Sequence, residues 1–116
     1  MIAGVRGSNS KSPKILARLY YQKACWYIDD YEDCKNAQRY IRKVLKINKD
    51  FDCRNYNAKK CIIKGKFSEA KEILNPIDNV FVLNTYLQVC TYSADVDDAF
   101  GAFEKINALQ MKLLTI

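Results

Sequence analysis

Carboxylates and thiols are the side chains in this 116-residue chain whose grouping could do chemistry. Asp29, Asp30, Glu32 and Asp33 form one acidic knot, and Asp95, Asp97 and Asp98 form another. Carboxylates in such groups can hold a divalent cation, but the EF-hand spacing and its glycine are missing from both. Each knot stands instead where one helical period stops and the next begins. There, carboxylates cap free amides and complement the positive end of a helix dipole. The five cysteines (Cys25, Cys34, Cys53, Cys61, Cys90) contain no C-x-x-C pair, and the absence of histidine excludes mixed Cys/His zinc sites. Their odd number and mid-helix positions predict reduced, buried thiols in a reducing intracellular compartment, either cytoplasm or a mitochondrial or plastid matrix. No histidine is available as a base, and no G-x-S-x-G, phosphate-cradling glycine loop or metal-ligand spacing is present. The expectation is a non-catalytic chain with no cofactor and no metal.

The stronger chemical signal is cationic. Net charge is +6, unevenly spread: residues 35–71 carry twelve Lys/Arg against three acids, whereas residues 72–116 carry two against six. Arg39, Arg42, Lys43 and Lys46 recur at three- and four-residue steps and so lie on neighbouring faces of one helix. Lys59, Lys60, Lys64 and Lys66 follow in the next stretch. Together they form a candidate basic patch for phosphates or an acidic protein surface, set against the plainer reading of a solvated helix face.

These residues must be positioned by helices. The chain is 49% apolar, with only four Gly and two Pro. That composition excludes wholesale disorder and leaves few turns for an all-β fold. No apolar run approaches the roughly 18 residues of a membrane span, and no signal-peptide core is present. Met1 to Ser12 is small, polar and free of acids, and residues 1–13 are expected to form a disordered lead. Pro13 then opens a helix marked by Ile15, Leu16, Leu19, Tyr20, Cys25, Trp26 and Ile28. After the acidic corner, a second helix carries Ala37, Tyr40, Ile41, Val44 and Leu45 on its apolar side. Asp52 to Asn75 supplies another hairpin, in which Gly65 takes the left-handed conformation, Ser68 or the turn backbone starts the next helix, and Ala70 allows close approach. Pro76 ends it early. In the last hairpin, Leu83, Tyr86, Leu87, Val89 and Cys90 precede a corner capped by Asp95, and Ala99, Phe100, Phe103 and Ile106 restart the period. Each helix pair has apolar residues on more than one side, which requires stacked neighbours.

Aligning the corner alanines Ala37, Ala70 and Ala99 gives intervals of 33 and 29 residues. Tetratricopeptide arrays repeat at about 34. The stretch from Val44 to Phe51 and the corner from Gly65 to Ala70 resemble tetratricopeptide repeats. Leu83, Asn84, Thr85, the corner Ala94 to Ala99, Phe103 and Ile106 resemble one pentatricopeptide repeat, departing from it where Gln110, Leu113 and Leu114 replace the usual closing residues. The resemblance implies an all-α, right-handed α-solenoid of about three helix-turn-helix repeats over residues 14–116, with hairpins near 14–49, 51–75 and 79–108. An irregular helical bundle is the alternative.

First helices of such repeats line a groove, which makes Gln22, Trp26, Asn55, Lys59, Asn84, Thr85 and Gln88 the candidate partner residues. Trp26 serves equally as a helix–helix core residue. The pentatricopeptide resemblance implies that Thr85 faces a base with Val82 beside it, and puts the second base-reading position near Thr115. Gln22 and Trp26 do not match the Lys/Asn pattern of chaperone-tail clamps. The segment from Leu109 to Ile116 is apolar without a polar closing face and is expected to continue into another repeat or be buried by a partner or a second copy. The functional expectation is a protein-interaction module in a larger assembly, engaged through groove and final turn. RNA binding in an organelle is the alternative.

Overall fold

The computed structural model describes residues 12–114, which form six helices and no strand among the described residues: α1 (Ser12–Tyr31), α2 (Cys34–Ile47), α3 (Arg54–Ile63), α4 (Phe67–Ile73), α5 (Val80–Ser93) and α6 (Val96–Leu114). The expected disordered lead covers residues outside that range, apart from Ser12 and Pro13, which open α1. Thr115 also falls outside it. No described helix is long and apolar enough to cross a membrane.

The helices pair in sequence as three hairpins, and each corner carries a left-handed residue, with the Gly65 and Ala94 corners closing through the same hydrogen-bond pattern and the Glu32 corner through another. Each first helix ends on a residue with positive φ: Glu32 (50°), Gly65 (73°) and Ala94 (59°). Such a residue turns the chain out of the helix and lets trailing amides reach back to the last carbonyls. The Lys66 amide accordingly donates to the Cys61 carbonyl at 2.8 Å, and the Asp95 amide donates to the Cys90 carbonyl at 3.0 Å. Five residues after each left-handed position stands a corner alanine, Ala37, Ala70 or Ala99. Ala37 and Ala70 are fully buried, so the absence of a larger side chain is what lets the paired helices close. Asp33 caps α2, its Oδ1 accepting from the Asn36 amide at 3.0 Å, and Asp95 caps α6 by accepting from the Asp98 amide at 3.2 Å. Helix α4 starts at Phe67 behind Lys66 without a side-chain cap, so the turn backbone and not Ser68 makes that start.

The chain divides after Asp52 into two compact units. The boundary follows the link Asn48 to Asp52, whose Phe51 packs its ring 5.0 Å from that of Tyr21 in the first unit. The first unit is the α1–α2 hairpin, with a core of Ala17, Ala24, Ile28, Ala37, Ile41 and Val44. Here the apolar period is correct but the inward face is not the bulky one. Ile15, Leu16 and Leu19 are exposed, and α1 contributes Ala17, Ala24 and Ile28 to the contact with α2. The second unit packs α3, α4 and α5 around Ala58, Cys61, Ile62, Ala70, Leu74, Val82 and Val89, with α6 on α5. All five cysteines are free thiols, but only Cys61 and Cys90 are buried, and burial pushes both thiols up from their ordinary value. Cys25, Cys34 and Cys53 are half-buried, because their stretches of chain lie at the edge of the core.

Candidate interaction surfaces

The sequence-predicted basic residues fall in both units. On α2, Arg39, Arg42, Lys43 and Lys46 are all exposed, and the helix contains no acidic residue. Lys59, Lys60 and Lys64 belong to the second unit. Lys60 lies 5.1 Å from the centre of the Tyr56 ring, and with Lys64, Lys66, Asn57 and Glu69 it lines a hollow of about 290 Å³.

Beside the basic face of α2 runs a row of aromatic rings that sequence reasoning did not single out. Tyr20 and Tyr27 on α1 flank Tyr40 on α2, with centroids 5.9 and 5.8 Å away, the Tyr27 pair being stacked at 15°. Lys23 and Lys43 place their ammonium groups 5.0 and 5.4 Å from the Tyr40 ring centre, within range of cation–π attraction. The available signal was the seven-residue spacing of Tyr20 and Tyr27, which puts both on one helical face. Trp26, for which a core position was open, is 44% exposed, its ring in edge contact with Tyr27 and Tyr31. The inward positions around it are Ala24 and Ile28, and Trp26 lies on a different face of the helix from them. Gln22 is exposed on the same helix.

In the second unit, two predicted groove residues meet. Lys59 on α3 donates to the Gln88 side-chain oxygen on α5 at 3.2 Å, because these first helices pack side by side. Asn55, one turn before Lys59, buries its Oδ1 without a hydrogen-bond partner, while Asn84 is exposed. Thr85 does not face the groove. It is 5% exposed, and its Oγ1 donates to the Phe81 carbonyl at 3.2 Å. Val82 is buried with it. Residues three apart on one helix share a face, and in α5 that face belongs to the core.

The α6 end of this unit is apolar on its outer side. Its buried face uses Ala102 and Ile106, whereas Phe100 (64% exposed), Phe103 (52%), Val96, Met111 and Leu114 lie outward. With Thr91, Ala94, Val96 and Ala99, the two phenylalanines line an open apolar cleft of about 280 Å³. The α5–α6 corner is held by a polar tie. Lys71 Nζ on α4 donates to Asp95 Oδ2 and Asp98 Oδ2, both at 2.8 Å, and the Tyr86 hydroxyl donates to the same Asp98 oxygen at 3.0 Å. The bonds to Asp95 and Asp98 hold the Lys71 ammonium well above the usual lysine range, and the bond from Lys71 draws the Asp95 carboxyl below its own. Asp33 in the first acidic knot and Asp95 and Asp98 in the second thus fasten their corners. No cluster of metal-ligating side chains occurs among the described residues.

No family model, curated protein or solved structure matches this chain.

Proposed function

We propose that this chain is a non-catalytic helical-repeat module that binds protein, and that α6 holds the partner. The observation that carries the reading is the outer face of α6. Val96, Phe100, Phe103, Met111 and Leu114 recur at helical spacing and stay exposed. Exposed Asn107 interrupts the stripe between Phe103 and Met111, and the apolar face on either side of it marks an interaction surface. A helix lies in such a stripe through its own i, i+3/i+4 and i+7 residues. Asp97 and Glu104, seven residues apart, run along one edge of the stripe, so the complementary partner is an amphipathic helix with lysine or arginine on its flank. The left-handed residue carried by each of the three corners supports the repeat reading, with tetratricopeptide-like first and second hairpins and a pentatricopeptide-like third arranged as a right-handed solenoid. The polar groove of Asn55, Lys59 and Gln88 is the second contact for the same partner. A reducing intracellular compartment suits its five free thiols. Base reading through Thr85 is not part of the proposal, because that side chain is buried.

The test is fluorescence anisotropy of a labelled leucine–lysine amphipathic helical peptide titrated with the full chain. Saturable binding is expected, weakened at least tenfold by Phe100→Ser with Phe103→Ser, while the circular dichroism of the chain is unchanged. Absent binding, or binding indifferent to both substitutions, refutes the reading. Concentration-dependent dimerisation abolished by the same two changes would replace the partner helix with a second copy.

A further inference from the structure

We propose that the α1–α2 hairpin binds single-stranded polynucleotide along its tyrosine–lysine face. This surface belongs to the first unit, so the inference stands independently of the α6 reading. A single strand offers alternating phosphates and open base faces, and its ligand site must supply cations and flat rings in alternation. The hairpin has both. The aromatic row Tyr20, Tyr40, Tyr27 continues from Tyr27 into Trp26 at 5.1 Å, and Trp26 meets Tyr31 at 5.0 Å. The inner rings are half-buried and fixed by their neighbours, while Trp26 and Tyr31 are exposed and free to take a base on an open face. On α2, Lys35, Arg39, Arg42, Lys43 and Lys46 are five exposed cations on a helix without an acid, and Lys43 reaches the rings. Lys23 adds a cation from α1, and Lys43 also lies 5.2 Å from the Tyr20 ring centre.

The geometry favours a single strand over the other anionic partners. An acidic protein surface would be met by the cations alone and has no use for exposed ring faces. Duplex nucleic acid hides its base faces, so Trp26 and Tyr31 could not stack on it. The carboxylates at the hairpin corner set the limit of the site. Asp29, Asp30 and Glu32 are exposed there, whereas Asp33 turns its oxygens to the Asn36 amide and side chain at 3.0 and 2.7 Å. Phosphates are therefore directed along α2, only the base stacked on Trp26 and Tyr31 approaches that corner, and the contact covers only a few nucleotides.

The experiment titrates the full chain with a mixed-sequence single-stranded RNA oligonucleotide. It reads anisotropy of a fluorescein label and, with unlabelled strand, the emission of Trp26, the only tryptophan. Saturable binding with quenching of Trp26 is expected. About four neutralised phosphates predict roughly sevenfold weaker binding for each doubling of salt. Lys43→Ala with Lys46→Ala should weaken binding at least tenfold at low salt and flatten that dependence. Trp26→Leu should weaken it at least fivefold. Far-UV circular dichroism checks that these changes at exposed positions leave the helices intact. No binding at low salt, binding that leaves Trp26 emission unchanged, or equal affinity for the matching duplex would overturn the proposal.

Discussion

The same substitution, glycine to alanine, should have opposite signs at two positions of the second unit. A Cβ built at Gly65 or at Gly101 meets no atom within 4 Å, so neither change is decided by space. Backbone conformation decides both. Gly65 sits at φ +73°, where a Cβ crowds the following carbonyl at a cost of about 1–2 kcal/mol. Loss of glycine's freedom in the unfolded chain returns roughly 0.4–1 kcal/mol. Gly65→Ala should therefore destabilise by about 1 kcal/mol. Gly101 lies inside α6, where alanine is better than glycine by about 0.8–1 kcal/mol. Gly101→Ala should stabilise by nearly that amount. For a unit of this size, each kilocalorie moves the melting midpoint by roughly 4–8 °C, so the two variants should melt on opposite sides of the parent. Urea unfolding followed by circular dichroism at 222 nm measures the pair. Shifts of the same sign would refute the left-handed corner at Gly65, and with it the closure that Gly65 shares with the Ala94 corner. Ala94→Gly supplies the reciprocal check, since Ala94 already occupies φ 59° and should gain from the change.

Two further predictions concern how the second unit is fastened. Lys71→Met removes the ammonium shared by Asp95 and Asp98 and should lower stability at neutral pH. Because the Asp95 carboxyl is depressed in the folded state, its stabilisation is present above the unfolded value near about 3.9 and is lost as pH falls through the lower folded value. Lys71 stays protonated throughout that range, so the gap between variant and parent should close in acid, and a gap independent of pH would sink the assignment. Ala70→Leu forces a branched side chain into a position with no exposure and should cost about 1–3 kcal/mol in urea unfolding. A leucine variant as stable as the parent would show that close approach at the corner is not what holds α4.

The acidic knots and the corner alanines were legible because they act locally. A cap needs only its own carboxylate and the amides two or three residues on, as Asp33 and Asp95 show. Gly65 and Ala70 announce a turn and a close approach by the size of their side chains alone. Helices α3 and α4 run from Arg54 to Ile73, and α5 and α6 from Val80 to Leu114. What stayed hidden depends on which side of a helix has a neighbour. Phe100 and Ile106 share one apolar period, yet Ile106 is buried and Phe100 is not. Thr85 carries a polar group and a motif position, but core packing turns it inward. The tyrosine row needs α1 and α2 brought together before Tyr40 can stand between Tyr20 and Tyr27.

By itself, the sequence determined the helices, their corners, the capping acids and the basic character of α2, since each of these is set by residue type and spacing within a few turns of chain. Tertiary structure alone decided that the chain closes into two units, that α1 turns Ala17, Ala24 and Ile28 inward and leaves Ile15, Leu16 and Leu19 outside, and that α6 leaves its phenylalanines outside. Periodicity assigns residues to the faces of a helix. Only packing between segments distant in sequence determines which of those faces loses its water.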